Sequence, residues 1–296
     1  MQTDLSTTLG QAGIDAGLID LHFSGFQRFP TADKPRSKNG AAIVLSVRPL
    51  RIWFTNHATG VSGCHFDGGQ KFLSRAEFNR MTRVRAEARH EREQTHTDVA
   101  AHAEKLWQSA GRADPRHLYL VRKQIRPHAL RQLGENLVVP VRFAGRMTSL
   151  QFISPEGGKR FLRAGRVTGC NGSIGVPANT LLIAEGFATA ATLHEVLELG
   201  VAIAFNAGNL RPVAVELHRR YPQSRIVICG DNDIRTTGNP GLTSAIEAAA
   251  AVGGEYIAPQ FSMKALTSAL TDWNDFRTRY GSSALRAAFE EVRCVG

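Results

Sequence analysis

From residue 180 onward the chain alternates short apolar runs with longer amphipathic ones, and few folds accommodate that alternation. Leu181 to Ala184, Val201 to Phe205, Arg225 to Cys229 and Glu255 to Ala258 read as strands. Ala188 to Leu199, Leu210 to Tyr221, Leu242 to Val252 and Ala284 to Val292 read as helices. Repeated β-α units of this length predict a parallel sheet with helices on both faces. Two strand-like runs end in acid: Glu185-Gly186 follows Ala184, and Asp231-Asn232-Asp233 follows Gly230. A third acidic group is Asp272-Trp273-Asn274-Asp275. Open α/β sheets place their chemistry at the C-terminal ends of strands. Carboxylates gathered there without a Cys or His ligand set suit Mg²⁺ (or Mn²⁺) and phosphate substrates. Asp231 and Asp233, two residues apart, share one side of an extended segment, and Gly186 and Gly230 allow close backbone approach beside them. Several carboxylates on one sheet edge repel one another unless a cation is present, so Glu185, Asp231, Asp233, Asp272 and Asp275 are the candidate metal ligands.

Charge is spread unevenly over the 296 residues. Residues 1–178 hold 26 Lys and Arg against 14 Asp and Glu, whereas residues 179–296 hold 10 against 12. A basic half beside an acidic one suggests a polyanion held by one part and processed by the other. The 43% hydrophobic content supports a packed core. No apolar run reaches the length of a membrane span, and Met1 to Gly10 lacks the pattern of a secretory signal, so a cytoplasmic protein is expected. Cys64, Cys170, Cys229 and Cys294 are too sparse for a disulfide scaffold and lack zinc-ribbon spacing, so no zinc is expected.

Four segments are expected. Residues 1–70 form a small β-rich module, with strands at Ala41 to Val47 and Ile52 to Phe54 and a basic loop carrying Lys34, Arg36 and Lys38. Cations near Phe23, Phe26, Phe29, Trp53 and Phe54 suit single-stranded nucleic acid; the competing reading is an aromatic core under a solvated loop. Residues 71–115 form a helical connector opened by a Ser74–Glu77 capping box. Residues 116–178 form a basic, strand-rich subdomain, with strands near Leu137 to Val141, Thr148 to Ile153 and Arg160 to Leu162 and a Gly157–Arg160 hairpin tip. Its Arg142, Lys159, Arg160, Arg163 and Arg166 are the candidate nucleotide- and template-binding cations. Residues 179–296 form the catalytic domain.

The run Leu-Ile-Ala-Glu-Gly followed by Gly-Asp-Asn-Asp on alternating βαβ elements resembles a Toprim domain. Bacterial DnaG-type primases, type IA and type II topoisomerases, overcoming-lysogenization-type nucleases and RecR-like repair proteins share that domain. Upstream, His117 to Ile125 resembles the "YL..KGI" element of plasmid- and satellite-phage primases. Leu137 to Val141, Ser149 to Ile153, Gly158 to Leu162, the His22 to Gly40 region and the terminal Asp-x-Asn-Asp continue the likeness in the same order. The resemblance implies an α/β fold: a C-terminal Toprim domain preceded by a basic α+β domain and the β-rich module. It also implies a DNA primase that copies single-stranded DNA from ribonucleoside triphosphates with Mg²⁺, using Glu185, Asp231 and Asp233. The zinc ribbon usual in DnaG-type primases is missing, as is a helicase ATPase loop, so a separate replicative helicase is the expected partner. A Toprim nuclease and a non-catalytic single-strand-binding helicase loader are the rival readings. A topoisomerase is disfavoured, because Tyr119, Tyr221, Tyr256 and Tyr280 have no nucleophile setting.

Overall fold

The computed structural model describes residues 4–68, 72–261 and 270–293, so Cys294 falls outside it. Two compact units emerge, Met1–Gln94 and Thr95–Gly296.

In the first unit, helix α1 (Leu5–Gly10) precedes an antiparallel sheet of β1 (Gln27–Phe29), β2 (Gly40–Val47), β3 (Leu50–Asn56) and β4 (Ser62–Phe66), in that spatial order. The apolar run of β2 has no polar alternation because both faces are covered. Ala42 and Val44 join Leu9, Ile14, Phe29, Ile52 and Phe54 on one side. Ile43 and Leu45 join Trp53 and Met81 on the other. Side chains two apart share a face of a strand, so one run feeds two cores. The aromatic-core reading therefore holds for Phe29, Trp53 and Phe54, which are buried; Phe23 is 50% exposed. Met81 belongs to helix α2 (Arg75–Ser109), within which the division between the units falls. Its N-terminus is the expected capping box: the Ser74 amide donates to Glu77 Oε2 at 2.8 Å, and the Glu77 amide donates to Ser74 Oγ at 3.3 Å.

The second unit opens with β5 (Gly111–Arg112) and α3 (Leu118–Lys123), followed by β6 (Arg131–Leu133), β7 (Asn136–Phe143), β8 (Arg146–Ile153) and β9 (Lys159–Phe161). Strands β5 to β9 form a sequential antiparallel sheet. Next come β10 (Gly172–Ile174), β11 (Thr180–Ala184), α4 (Phe187–Leu197), β12 (Gly200–Ile203), α5 (Leu210–Arg220), β13 (Arg225–Cys229), α6 (Pro240–Ala250), β14 (Glu255–Ile257), α7 (Trp273–Tyr280) and α8 (Ser282–Arg293). The sheet order is β10-β12-β11-β13-β14. Strands β11 to β14 pair in parallel, as the β-α alternation predicts, while β10 adds an antiparallel edge that it did not.

Both faces of this sheet are covered, again by period-two alternation. Leu182, Ala184, Val227 and Cys229 pack with Phe187, Leu193, Trp273 and Leu285 of α4, α7 and α8. Leu181, Ile183, Ile226 and Ile228 pack with Val213, Leu217, Ala245 and Ala248 of α5 and α6. The helix after β11 thus lies on one face and the helix after β13 on the other. The register pairs Ala184 with Cys229, so the chain leaves both strands at the same level and diverges. Such a divergence opens a crevice at the carboxyl ends of the strands.

Helices also differ from the sequence reading. The segment after Arg116 was expected to turn directly to strands, but Leu118–Lys123 is helical. His117 Nδ1 caps it by accepting from the Tyr119 amide at 3.2 Å, and Gln124, in the left-handed region, ends it. Helix α7 grows out of the Asp272-Trp273-Asn274-Asp275 group because Asp272 Oδ1 accepts from the Asp275 amide at 2.7 Å. Helix α1 was not anticipated.

Gly230 ends β13 where a Cβ would come within 2.6 Å of the Ala245 methyl on α6. Gly230→Ala is expected to push α6 off the sheet and destabilise the fold by about 1–3 kcal/mol, read as a lower urea midpoint.

Candidate active site

The crevice at the ends of β11 and β13 holds a cavity of about 280 Å³. Glu185, Asp231 and Asp272 enter it from the Toprim-like half, and Tyr119, Arg122, Lys123 and Lys159 enter from the preceding subdomain. The loop that carries the aspartates is fixed by the residue between them. The buried Asn232 side chain donates to the Pro259 carbonyl at 3.0 Å and accepts from Asn239 at 2.8 Å, while its amide donates to the Thr271 carbonyl at 2.8 Å. Asp231 lines the crevice, whereas Asp233 does not line it and lies beside the start of α6, where a Cβ on Gly241 would come within 3.1 Å of its Oδ2.

The electrostatics there are unfavourable as they stand. Glu185 Oε1 and Asp231 Oδ1 are buried with no hydrogen-bond partner. Burial first, and the Asp233 carboxylate second, push the Glu185 carboxyl up to about 7. Burial likewise raises Asp231 well above the usual carboxylate range, reinforced by Glu185, Asp272 and Asp233. The Lys159 ammonium opposes both shifts. A Cβ on Gly186 would sit 3.3 Å from Lys159 Nζ, which places that cation over the turn after β11. Among the described residues, no three His, Cys, Asp or Glu side chains stand close enough to form a ready-made metal cluster. The oxygen-only donor set and the two orphaned, mutually repelling carboxylates nevertheless fit a hard divalent cation, which keeps waters and substrate oxygens in its remaining positions.

Asp272 and Asp275 are engaged otherwise. Lys123 Nζ lies 3.4 Å from Asp272 Oδ2 and 3.3 Å from Asp275 Oδ1. Burial alone would depress the Lys123 ammonium, but the two carboxylates outweigh it and raise its pKa. Asp275 Oδ2 also accepts from the Thr271 amide at 3.1 Å, and Asp272 is the N-cap of α7. The rest of the motif grips the end of α3. The buried Asn274 side chain donates to the Lys123 carbonyl at 2.7 Å and to Thr192 Oγ1 at 2.8 Å. Arg277 donates to the carbonyls of Lys123 and Gln124 at 3.0 and 2.5 Å.

The remaining sequence-predicted cations do not line the cavity. Arg160 stacks on Phe152 and Arg166 on Phe143, with guanidinium-to-ring distances of 5.7 and 3.7 Å. Arg142 donates to the Gly145 carbonyl at 3.2 Å. Arg163 is exposed. Lys34, Arg36 and Lys38 lie exposed in the first unit. Conversely, Tyr119, Arg122 and Lys123 are not singled out individually by the sequence reading, although they lie in the primase-like His117 to Ile125 element, where Leu118 to Val121 is followed by Arg-Lys. Tyr119 is 2% exposed, and its hydroxyl has no partner.

Residues 180–283 match the Toprim domain family. A DNA primase TraC of Escherichia coli is 36% identical over 229 residues, which make up 71% of this chain and 21% of that protein. A second DNA primase TraC of Escherichia coli is 37% identical over 139 residues, 44% of this chain and 10% of that protein. The chain thus spans only a minor part of the length of these relatives. Among solved structures, the DnaG primase catalytic domain bound to ssDNA is 13% identical with a TM-score of 0.42, covering 70% of this chain and 80% of that one. The RNA polymerase domain of Mycobacterium tuberculosis primase DnaG is 14% identical with a TM-score of 0.41, covering 68% and 82%.

The raised Glu185 pKa has a signed consequence. A carboxyl at 4.5 when unfolded and about 7 when folded contributes stability below the lower value and loses it as pH rises through the upper one. In EDTA at pH 8, Glu185→Gln is therefore expected to be more stable than wild type, by on the order of 1–3 kcal/mol. The difference should vanish near pH 5 and shrink when Mg²⁺ stabilises the wild type; thermal denaturation reads all three.

Proposed function

We propose that this chain, whose residues 180–283 are a Toprim domain, is a cytoplasmic DNA primase that uses Mg²⁺ to make short RNA primers on single-stranded DNA, in concert with a separate helicase. The observation that carries the reading is a single cavity with buried, partnerless Glu185 and Asp231 oxygens on one wall and Arg122, Lys123 and Lys159 on the other. That pairing of walls suits a triphosphate held beside a divalent cation. The likeness to the TraC primases supports the polymerising reading over other Toprim chemistries.

Glu185, Asp231 and Asp233 would hold the metal, which when bound supplies Lewis acidity and charge neutralisation at the transferring phosphate. Lys159 and Arg122 then offer charge-assisted hydrogen bonds to the triphosphate oxygens. Lys123 pairs with Asp272 and Asp275 and so offsets part of their negative charge, although Asp272 still adds to the repulsion that Asp231 experiences. The alternative role for Glu185 is that of a base toward the attacking 3′-hydroxyl, in place of metal ligand. In this division of labour residues 1–70 are a zinc-free nucleic-acid module, 71–115 a connector, 116–178 the subdomain that binds nucleotide and template, and 179–296 the catalytic domain. Arg142, Arg160, Arg163 and Arg166 would track the backbone of the template outside the cavity.

The test is an extension assay with single-stranded DNA, ribonucleotides and Mg²⁺. Wild type is expected to yield short labelled oligoribonucleotides, and Asp231→Ala to lower the yield by about a hundredfold or more, equivalent to a barrier increase of several kcal/mol. Degradation of the template without synthesis would replace this reading with a nuclease. Binding without either product would replace it with a helicase loader.

A further inference from the structure

Three arginines and a histidine of the first unit meet on one face of its sheet. Phe29 turns toward the Leu9 cluster, so its neighbour Arg28 projects to the opposite face, the one that carries Ile43 and Trp53. Helix α2 packs on that face through Met81 and Val84. Arg85, one residue beyond Val84, lies over the Trp53 ring at 4.8 Å, and Arg92, seven residues further, repeats on the same helix face. His57 follows β3, with its amide donating to the Asn39 carbonyl at 2.9 Å. Arg28 Nε donates to the Lys38 carbonyl at 3.0 Å, which fixes its fork beside the same turn.

The neighbours of this group show what distinguishes it. Arg51 is paired with Glu77, Arg83 with Glu87 and Arg89 with Glu93. Among the described residues, neither Arg28 nor Arg85 nor Arg92 is ion-paired with a carboxylate. Burial first, and then the charges of Arg28, Arg92 and Arg85, depress the His57 imidazole; burial and Arg92 depress the Arg28 guanidinium. Solvated surface arginines spread apart or find acids, as Arg83 and Arg89 do. Here like charges converge, and Arg28 gives up part of its hydration to be among them. From Arg85 to Arg92 the helix rises about 10 Å, more than one small anion spans.

We propose that Arg28, His57, Arg85 and Arg92 form a binding site for the phosphate backbone of single-stranded nucleic acid, distinct from the carboxylate crevice and from the Lys34–Lys38 loop. The choice of nucleic acid as the polyanion rests on the primase reading above.

The test measures anisotropy of a labelled single-stranded oligodeoxynucleotide bound to the full chain, in EDTA and without nucleotides, so that binding is separated from synthesis. Arg85 and Arg92 are exposed, so the double variant Arg85→Gln/Arg92→Gln should fold; circular dichroism checks it. It is expected to bind at least about tenfold more weakly, and the slope of log K against log salt should fall by about 1.4, two phosphate contacts on a single strand. The triple variant Lys34→Gln/Arg36→Gln/Lys38→Gln should lose less. Unchanged affinity and slope in the folded double variant overturn the site, as does a wild type that does not bind single strands. A wild type that binds through these arginines yet extends no primer leaves the site standing and sinks the primase reading instead.

Discussion

Two carboxylates brought to the same level at the ends of adjacent parallel strands are the constraint to which the rest of this crevice answers. The pairing of Ala184 with Cys229 is fixed by backbone hydrogen bonding and by cores on both faces, so Glu185 and Asp231 cannot retreat from one another. The fold meets that repulsion in two ways. It brings Lys159 from a hairpin of the preceding sheet to the turn after β11. It also sets Lys123 against Asp272 and Asp275, which offsets part of the charge that Asp272 still projects onto Asp231. What is left uncompensated, at Glu185 Oε1 and Asp231 Oδ1, is a demand for positive charge that the protein itself does not meet.

The antiparallel sheet before the parallel one is an integral part of this arrangement. Leu137, Val139 and Val141 of β7 and Leu120 of α3 share a buried cluster with Leu182, Ala184 and Val227. The basic subdomain and the β-α domain are therefore two sheets sharing one core, and the cavity lies along their seam. Rigid packing of that kind holds cations and carboxylates at set separations, which a pair of sheets joined by a linker would not.

Much of this was legible in the sequence, and what escaped did so for physical reasons. The strands β11 and β13 were readable because burial on both faces makes them continuously apolar, and the acids at their ends were readable because charge stops such a run. Helix α3 was misread because Leu-Tyr-Leu-Val carries no periodicity in so short a window. Only the cap at His117 and the left-handed Gln124 decide between strand and helix. As candidate metal ligands the five acids look alike, and nothing local shows that two of them are paired with a lysine. The partner of Asp272 and Asp275 lies on α3, and no spacing within the acidic motif reports a lysine that distant. The same holds for the cations of the first unit: Arg28, Arg85 and Arg92 read as scattered surface charge until the sheet and the helix bring them together.

The grip of α7 on α3 also bears on the order in which the molecule acquires its competence. The contacts from Lys123 to Asp272, Asn274 and Asp275 span 149 to 152 residues of chain. Contacts of such high sequence separation form late, because the loop that they close must first be ordered. During synthesis Glu185 and Asp231 emerge well before the segment that orients Lys123. A ribosome-bound chain therefore carries its acidic wall for the time needed to translate a further forty residues or so before the cationic wall can lock, which makes locking of the site one of the last events of folding.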